Sequence, residues 1–155
     1  MPLAAAPALT FFADLSVQVA APHEIGSTPG GRRRVIPITG GEVRGEGWQA
    51  RVLPGGADFQ LIVGETMARL DARYVLETDG GDLIFVQNKA IRVAPAEVTA
   101  KLMRGEPVDP AQVYFRCVPA FETAAPALAW INERLFVGTG VRCPDRVEIS
   151  VFVLG

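Results

Sequence analysis

Histidine is nearly absent from this sequence: His23 is the only one in 155 residues. Cysteine is scarce too, with only Cys117 and Cys143. Zinc centres built from His and Cys, and triads that turn on a histidine base, therefore have little material. There is no basic surplus. Lys+Arg is 15 against 17 Asp+Glu, a formal net charge of -2, which argues against a dedicated nucleic-acid binder. No stretch approaches the roughly 18 apolar residues of a spanning helix. The longest uncharged run, Met1 to Ala13, ends at Asp14 and lacks the basic start of a secretory signal. The expectation is a cytoplasmic protein whose two thiols stay reduced and unbonded to each other. Long helical periodicity is missing as well. Without crossover helices, doubly wound and (β/α)-barrel folds are removed. No Gly-x-Gly-x-x-Gly pattern leads into a helix, so the glycine-rich stretches are turns and not a phosphate cradle. We expect no metal and no cofactor.

What the chain does carry is a period of two. From Leu9 to Val19 the odd positions are Leu9, Phe11, Ala13, Leu15, Val17 and Val19, and the even positions include Thr10, Asp14, Ser16 and Gln18. Near the other end Val147, Ile149, Val151 and Val153 alternate with Glu148 and Ser150. Both are half-buried strand patterns. Further strands are expected over 33–39, 42–53, 58–63, 68–78, 82–92, 113–119 and 134–141. Gly-Gly pairs punctuate them, with Thr78-Asp79-Gly80-Gly81-Asp82 the strongest hairpin signal. Thr39-Gly40-Gly41-Glu42 and Pro54-Gly55-Gly56 are the next best turns. Short helices are expected over 94–104 and from Thr123 to about Asn132. With 49% hydrophobic and 21% charged residues, the chain suits one domain with its own core. About nine strands at hairpin spacing leave a closed or nearly closed antiparallel barrel, or a sandwich.

Several residues could carry chemistry. In the strand over 68–78, Asp71, Arg73, Val75 and Glu77 share one face, and Leu70, Ala72, Tyr74 and Leu76 share the other. With the first face outside, its charges are a solvated surface; facing a lumen, Arg73 becomes a fixed cation for a carboxylate or enolate. Asp58 follows a Gly-Gly turn. It is either a turn residue bonding its own backbone or a carboxylate aimed at a pocket mouth as general base. Arg116 lies amid Val113, Tyr114, Phe115, Cys117 and Val118, so it must be paired or line a wet cavity, and Glu122 is a candidate partner. Arg33, in a run of three arginines, reads as a solvated or anion-facing strand end. Trp130 is a core residue or a substrate platform. His23 reads as a loop residue.

One ordered set of segments stands out: Gly31-Arg32-Arg33, Ile36-Pro37-Ile38-Thr39-Gly40-Gly41, Leu53-Pro54-Gly55-Gly56-Ala57-Asp58, Asp71-Ala72-Arg73-Tyr74, Thr78-Asp79-Gly80-Gly81, Tyr114-Phe115-Arg116, Phe121-Glu122-Thr123 and Trp130-Ile131-Asn132. Their order and spacing resemble the bacterial and fungal family called domain of unknown function 3237, over nearly the whole chain. Phe59 departs from it, standing where a tryptophan is expected. The resemblance implies an all-β protein, a single antiparallel barrel of eight or nine strands with one or two short helices, similar to allene oxide cyclase and dirigent barrels. It implies no particular reaction.

Two functions of different class follow. The first is a cofactor-independent isomerase, cyclase or lyase acting on a small oxygenated molecule inside the barrel. Asp58 would move a proton, Arg73 would hold an anionic group, and Tyr74 would donate a hydrogen bond; Arg33, Arg116, Glu122 and Trp130 complete the candidate binding set. This places Asp58, Arg73 and Arg116 together at one barrel end. The second is a non-catalytic barrel holding a hydrophobic or anionic ligand. In both, the partner is a small molecule, not nucleic acid or membrane, and self-association fits either.

Overall fold

The computed structural model describes residues 1–155. It contains ten strands: β1 (Leu9–Val19), β2 (His23–Thr28), β3 (Gly31–Gly45), β4 (Trp48–Val52), β5 (Ala57–Val63), β6 (Met67–Thr78), β7 (Leu83–Val93), β8 (Tyr114–Thr123), β9 (Phe136–Arg142) and β10 (Arg146–Leu154). Helix α1 (Ala96–Met103) follows β7, and two 3-10 segments, Pro110–Gln112 and Pro126–Glu133, flank β8. No helix is long and apolar enough to cross a membrane.

All the pairings are antiparallel, and they close a ring. From β1 the ladder passes to β10, β9, β8, β7 and β6, then through β4 and β5 to β3, which pairs back to β1. The result is an antiparallel barrel with 8 staves. Two staves are shared. β4 lies beside the second half of β3 and β5 beside the first, and both lie against β6. Pro54-Gly55-Gly56 is therefore a kink inside one stave and not the hairpin its composition suggests. The ladder continues around the kink, with Leu53 N–H donating to Val75 O at 2.9 Å and Ile38 N–H donating to Gly56 O at 2.9 Å. In the same way β1 and β2 share the other edge of β3. His23 thus opens a strand, where a loop was expected.

Three further expectations change for local reasons. Thr39-Gly40-Gly41-Glu42 does not reverse the chain, because β3 runs straight through it. Gly41, at φ 141°, presses against β1, where an added Cβ would lie 2.0 Å from Ser16 O. The glycines permit close approach, and the reversal falls at Glu46-Gly47 instead. In β1 the pairing with β10 slips between Phe11 and Ala13. This bulge puts Phe12 and Ala13 both in the core and leaves Leu9 and Phe11 exposed, breaking the odd-position pattern. The segment after Thr123 is 3-10 helix, not α, and Asn132 pins it to β8: its side chain accepts from Thr123 N–H at 2.8 Å and donates to Thr123 O at 3.0 Å. The hairpin at Asp79-Gly80-Gly81 forms as its sequence suggests, joining β6 to β7 with Gly81 at φ 87°.

The lumen has two unlike halves. At one end Phe12 packs against Trp48, Phe121 and Phe136 with ring centroids 5.2, 5.3 and 4.8 Å away. Val43, Leu76, Ile84, Val86 and Val151 complete a core exposed by at most 1%. At the other end the inward positions turn polar.

Candidate functional site

The polar end is built by alternation. On β6 the inward residues are Leu70, Ala72 and Tyr74; on β7 they are Asn88, Ala90 and Arg92; on β5, Asp58 and Gln60. Arg142 enters from the end of β9. Together with apolar residues such as Val17, Ile36, Ile38, Phe115 and Ile149 they enclose a cavity of about 40 Å³. That is room for a few water-sized groups. Gly56 sets the approach of β5, because a Cβ there would lie 2.5 Å from both Arg73 O and the Tyr74 Cβ. A backbone that close to β6 carries Asp58, two residues on, into the cavity.

Four polar atoms around this cavity are sealed from solvent and have no hydrogen-bond partner: Asp58 Oδ1, Gln60 Oε1, Tyr74 OH and Asn88 Oδ1. A folded protein rarely leaves one such group, since each costs about 1–3 kcal/mol. The other Asp58 oxygen accepts from Gln60 Nε2 at 2.9 Å. Burial pushes the Asp58 carboxyl above its ordinary value, opposed by the Gln60 hydrogen bond and by the positive charge of Arg92. Burial also raises Tyr74, which stays a protonated donor throughout the neutral range. Arg92 is 4% exposed, and burial brings its guanidinium down to about 10. Two further arginines face it. Arg34 pairs with Glu24 at 2.8 Å and donates to Met103 O at 3.3 Å. Arg142 donates to the carbonyls of Cys143 and Arg146.

The expected trio is not assembled. Asp58 and Tyr74 line the cavity, but Arg73 and Arg116 do not. Arg73 is on the outer face of β6, paired with Asp71 at 3.1 Å, so the solvated-surface alternative holds for that strand face. Arg116 points out from β8, with its guanidinium 5.1 Å from the Tyr114 ring centroid and Nη1 donating to Phe115 O at 2.9 Å. It is satisfied without Glu122, which is exposed on the outer wall. Arg33 and Arg116 border a groove of about 820 Å³ on the outside of the barrel, with Phe59, Leu61, Tyr114 and Phe152. Trp130 is 43% exposed and packs its edge on Phe12 at the aromatic end, away from the cavity.

Sequence reasoning puts Gln60 on the same strand face as Asp58 without giving it a role, and it does not single out Arg92, Arg142 or Asn88. A faint signal exists for two of these. Asn88 and Arg92 share the period-two face of Ile84, Val86 and Ala90. Cys117 and Cys143 are free thiols.

Comparison with known proteins places this architecture. The UPF0311 protein RPA1785 of Rhodopseudomonas palustris is 52% identical over 128 residues, covering 83% of this chain and 82% of that one. Its crystal structure superposes with a TM-score of 0.92, covering 98% of this chain and 100% of the other. A beta-barrel like protein of Acinetobacter baumannii is 36% identical with a TM-score of 0.86, and each chain is covered to 100%. An enzyme from Penicillium herquei shares the fold at a TM-score of 0.73 and 16% identity, covering 100% of this chain and 99% of that one; at that identity the likeness is of fold alone. The model of the family described as "Protein of unknown function (DUF3237)" matches residues 7–154, and the chain belongs to that family.

Proposed function

We propose that the barrel is a cofactor-independent enzyme of the isomerase, cyclase or lyase class, acting on a small oxygenated molecule held in the polar half of the lumen. The observation that carries this reading is the convergence of four buried, unpartnered polar atoms on one cavity. A ligand with carbonyl or hydroxyl oxygens completes their hydrogen bonds, whereas a purely hydrocarbon ligand leaves them stranded. Asp58 supplies the chemistry. Its carboxylate takes a proton from the carbon beside a carbonyl, and the C–H electron pair moves into the C=O to give an enolate. The Tyr74 hydroxyl donates to the enolate oxygen. Where the substrate carries a β,γ double bond, the enolate is a dienolate, and return of the proton to the γ-carbon isomerises it; where the β-carbon carries a leaving group, its departure with the bonding electron pair makes the same step an elimination. A carboxyl with an elevated pKa suits both halves of that shuttle. A small-molecule partner and a cytoplasmic setting belong to the same proposal, with two free thiols favouring a reducing compartment. Self-association through the outer wall also belongs to it, supported by exposed Phe59, Ile91, Tyr114 and Val118.

The test is exchange. Small enolisable ketones and keto acids are incubated with the protein in D2O, and carbon-bound deuterium is followed by NMR. Wild-type protein should accelerate wash-in, and Asp58→Asn should lose it by about 10²-fold or more, the scale of acid-base catalysis. A compound that binds in the lumen and exchanges equally with both proteins would make the barrel a binding module instead.

A further inference from the structure

The buried charges in the lumen do not balance. Three arginines, Arg34, Arg92 and Arg142, lie close enough to oppose one another's charge. Two carboxylates answer them. Glu24, half-exposed, is committed to Arg34 at 2.8 Å, which leaves Asp58 as the buried carboxylate facing Arg92 and Arg142. Neither of those arginines closes an ion pair, although both line the same cavity as Asp58. Arg142 is held by two backbone carbonyls, which fix its position, and the other carboxylate that acts on its charge, Asp145, is exposed and already paired with Arg146 at 3.0 Å. Arg92 is more exceptional. It is among the most buried polar residues of the chain, it lines the cavity, and it closes no ion pair with a carboxylate. A buried, unpaired guanidinium is costly, and a fold under no other demand replaces it with a hydrophobic side chain.

We propose that the polar half of the lumen is a monocarboxylate site, with Arg92 as the principal anchor and Arg142 beside it. The inference rests on the reading of the lumen as a substrate site and adds the substrate's charge. One carboxylate on the ligand restores neutrality when Asp58 is ionised, since three cations then face three anions. The planar guanidinium matches a carboxylate edge with two parallel N–H donors. The remaining oxygenated part of the ligand meets Asp58, Tyr74, Gln60 and Asn88. A carboxylate anchored on Arg92 leaves the ligand's other end toward Asp58, the residue that moves the proton. An uncharged ketone of the same shape binds poorly here, because Arg92 stays unpaired beneath it. The small cavity selects short acids over fatty acids.

The experiment pairs each acid with its neutral isostere. Acetate, butyrate, acetoacetate and benzoate, and the corresponding amides, are titrated calorimetrically at constant ionic strength into wild type, Arg92→Met, Arg142→Met and Asp58→Asn. At least one acid should bind wild type tenfold or more tighter than its amide. Arg92→Met should lose at least tenfold of that affinity, Arg142→Met should weaken it less, and Asp58→Asn, which removes the anion that competes for Arg92, should tighten it. Without ligand, Arg92→Met should melt at or above the wild-type temperature, so lost binding cannot be ascribed to unfolding. If Arg92→Met does not fold, Arg142→Met must still lose preference for the acid over the amide. Equal binding of acids and amides, or no binding of any acid, overturns the carboxylate site. Deuterium wash-in that depends on Asp58 would survive that outcome, so the two readings fail separately.

Discussion

The two halves of the lumen are made by the same strands and obey opposite rules. At the aromatic end every inward side chain is apolar and rings meet at 4.8–5.3 Å, as Phe12, Phe121 and Phe136 do. At the polar end the same staves present Asp58, Gln60, Asn88 and Arg92, several with atoms left unpartnered. On β6 the change happens between Leu76, which is fully buried, and Tyr74, two residues away, whose hydroxyl is unpartnered. One half holds the barrel together; the other gives up some of that stability by leaving polar atoms unpartnered. Under the proposed function, stability and binding are separable by position along a stave.

The sharpest way to break this contrast is Phe136→Ala. It empties a ring site in the packed half and should cost about 3–5 kcal/mol, read from urea unfolding. Ligand affinity in the surviving folded fraction should not change.

The next effect is a pH dependence specific to the polar half. Burial raises the folded-state pKa of Asp58 above its unfolded value. Between those two values the folded protein holds a proton that the unfolded chain has released, so stability falls as pH rises. The contribution is intact below the unfolded pKa of about 4 and is lost as pH passes through the folded one. The difference in unfolding free energy between wild type and Asp58→Asn should therefore slope downward from about pH 4 and then level off. A difference that is flat, or that slopes upward, would contradict the burial of this carboxyl. Asp71 on the outer wall shifts the opposite way: burial, the largest single influence, raises it, but the hydrogen bonds from Arg73 and Gln87 and the charges of Arg73 and Lys89 together lower it, and it cancels in the comparison because both proteins carry it.

A smaller change is expected for Tyr74→Phe. Removing a bonded buried hydroxyl costs about 1 kcal/mol, but this one has no partner and is itself a burden, so the ligand-free protein should be unchanged or more stable by about 1 kcal/mol. Enolate-directed exchange should fall all the same. Least of all is Arg73→Met on the outer face, where the pair with Asp71 is solvated. Its thermal midpoint and its lumenal binding should match wild type.

Sequence pattern resolves the barrel better than it resolves the cavity. The alternation on β6 separates Tyr74 from Arg73 correctly, and β10 shows its inward face without ambiguity. Around β7 and β8 the contrast between faces fades. Leu83, Phe85 and Ile91 are apolar yet exposed, as are Tyr114 and Val118. An outer wall this apolar makes Arg116 look buried and hides the inward phase of Arg92. Arg142 escapes for another reason: it is the last residue of β9, just past the expected strand end at 141. The glycine pairs mislead where pairing overrides composition. At Gly40-Gly41 and Gly55-Gly56 the ladder needs close backbone approach more than it needs a reversal.

The ring closes between β1 and β10, the first and last strands in chain order. Every other stave has a neighbour close in sequence; this seam joins residues far apart in the chain, from Gln18 opposite Arg146 to Leu9 opposite Leu154, and Ser150 donates across it to Asp14 at 2.6 Å. During synthesis β1 meets β3 early but waits for the rest of the sheet before its other partner, β10, emerges. Until then the sheet is a curled ribbon with an apolar inner face and an open edge, the form most prone to pairing with another chain. The order of strands thus makes biogenesis the vulnerable moment of this barrel, and the burden of guarding it falls on whatever meets the nascent chain, not on the finished fold.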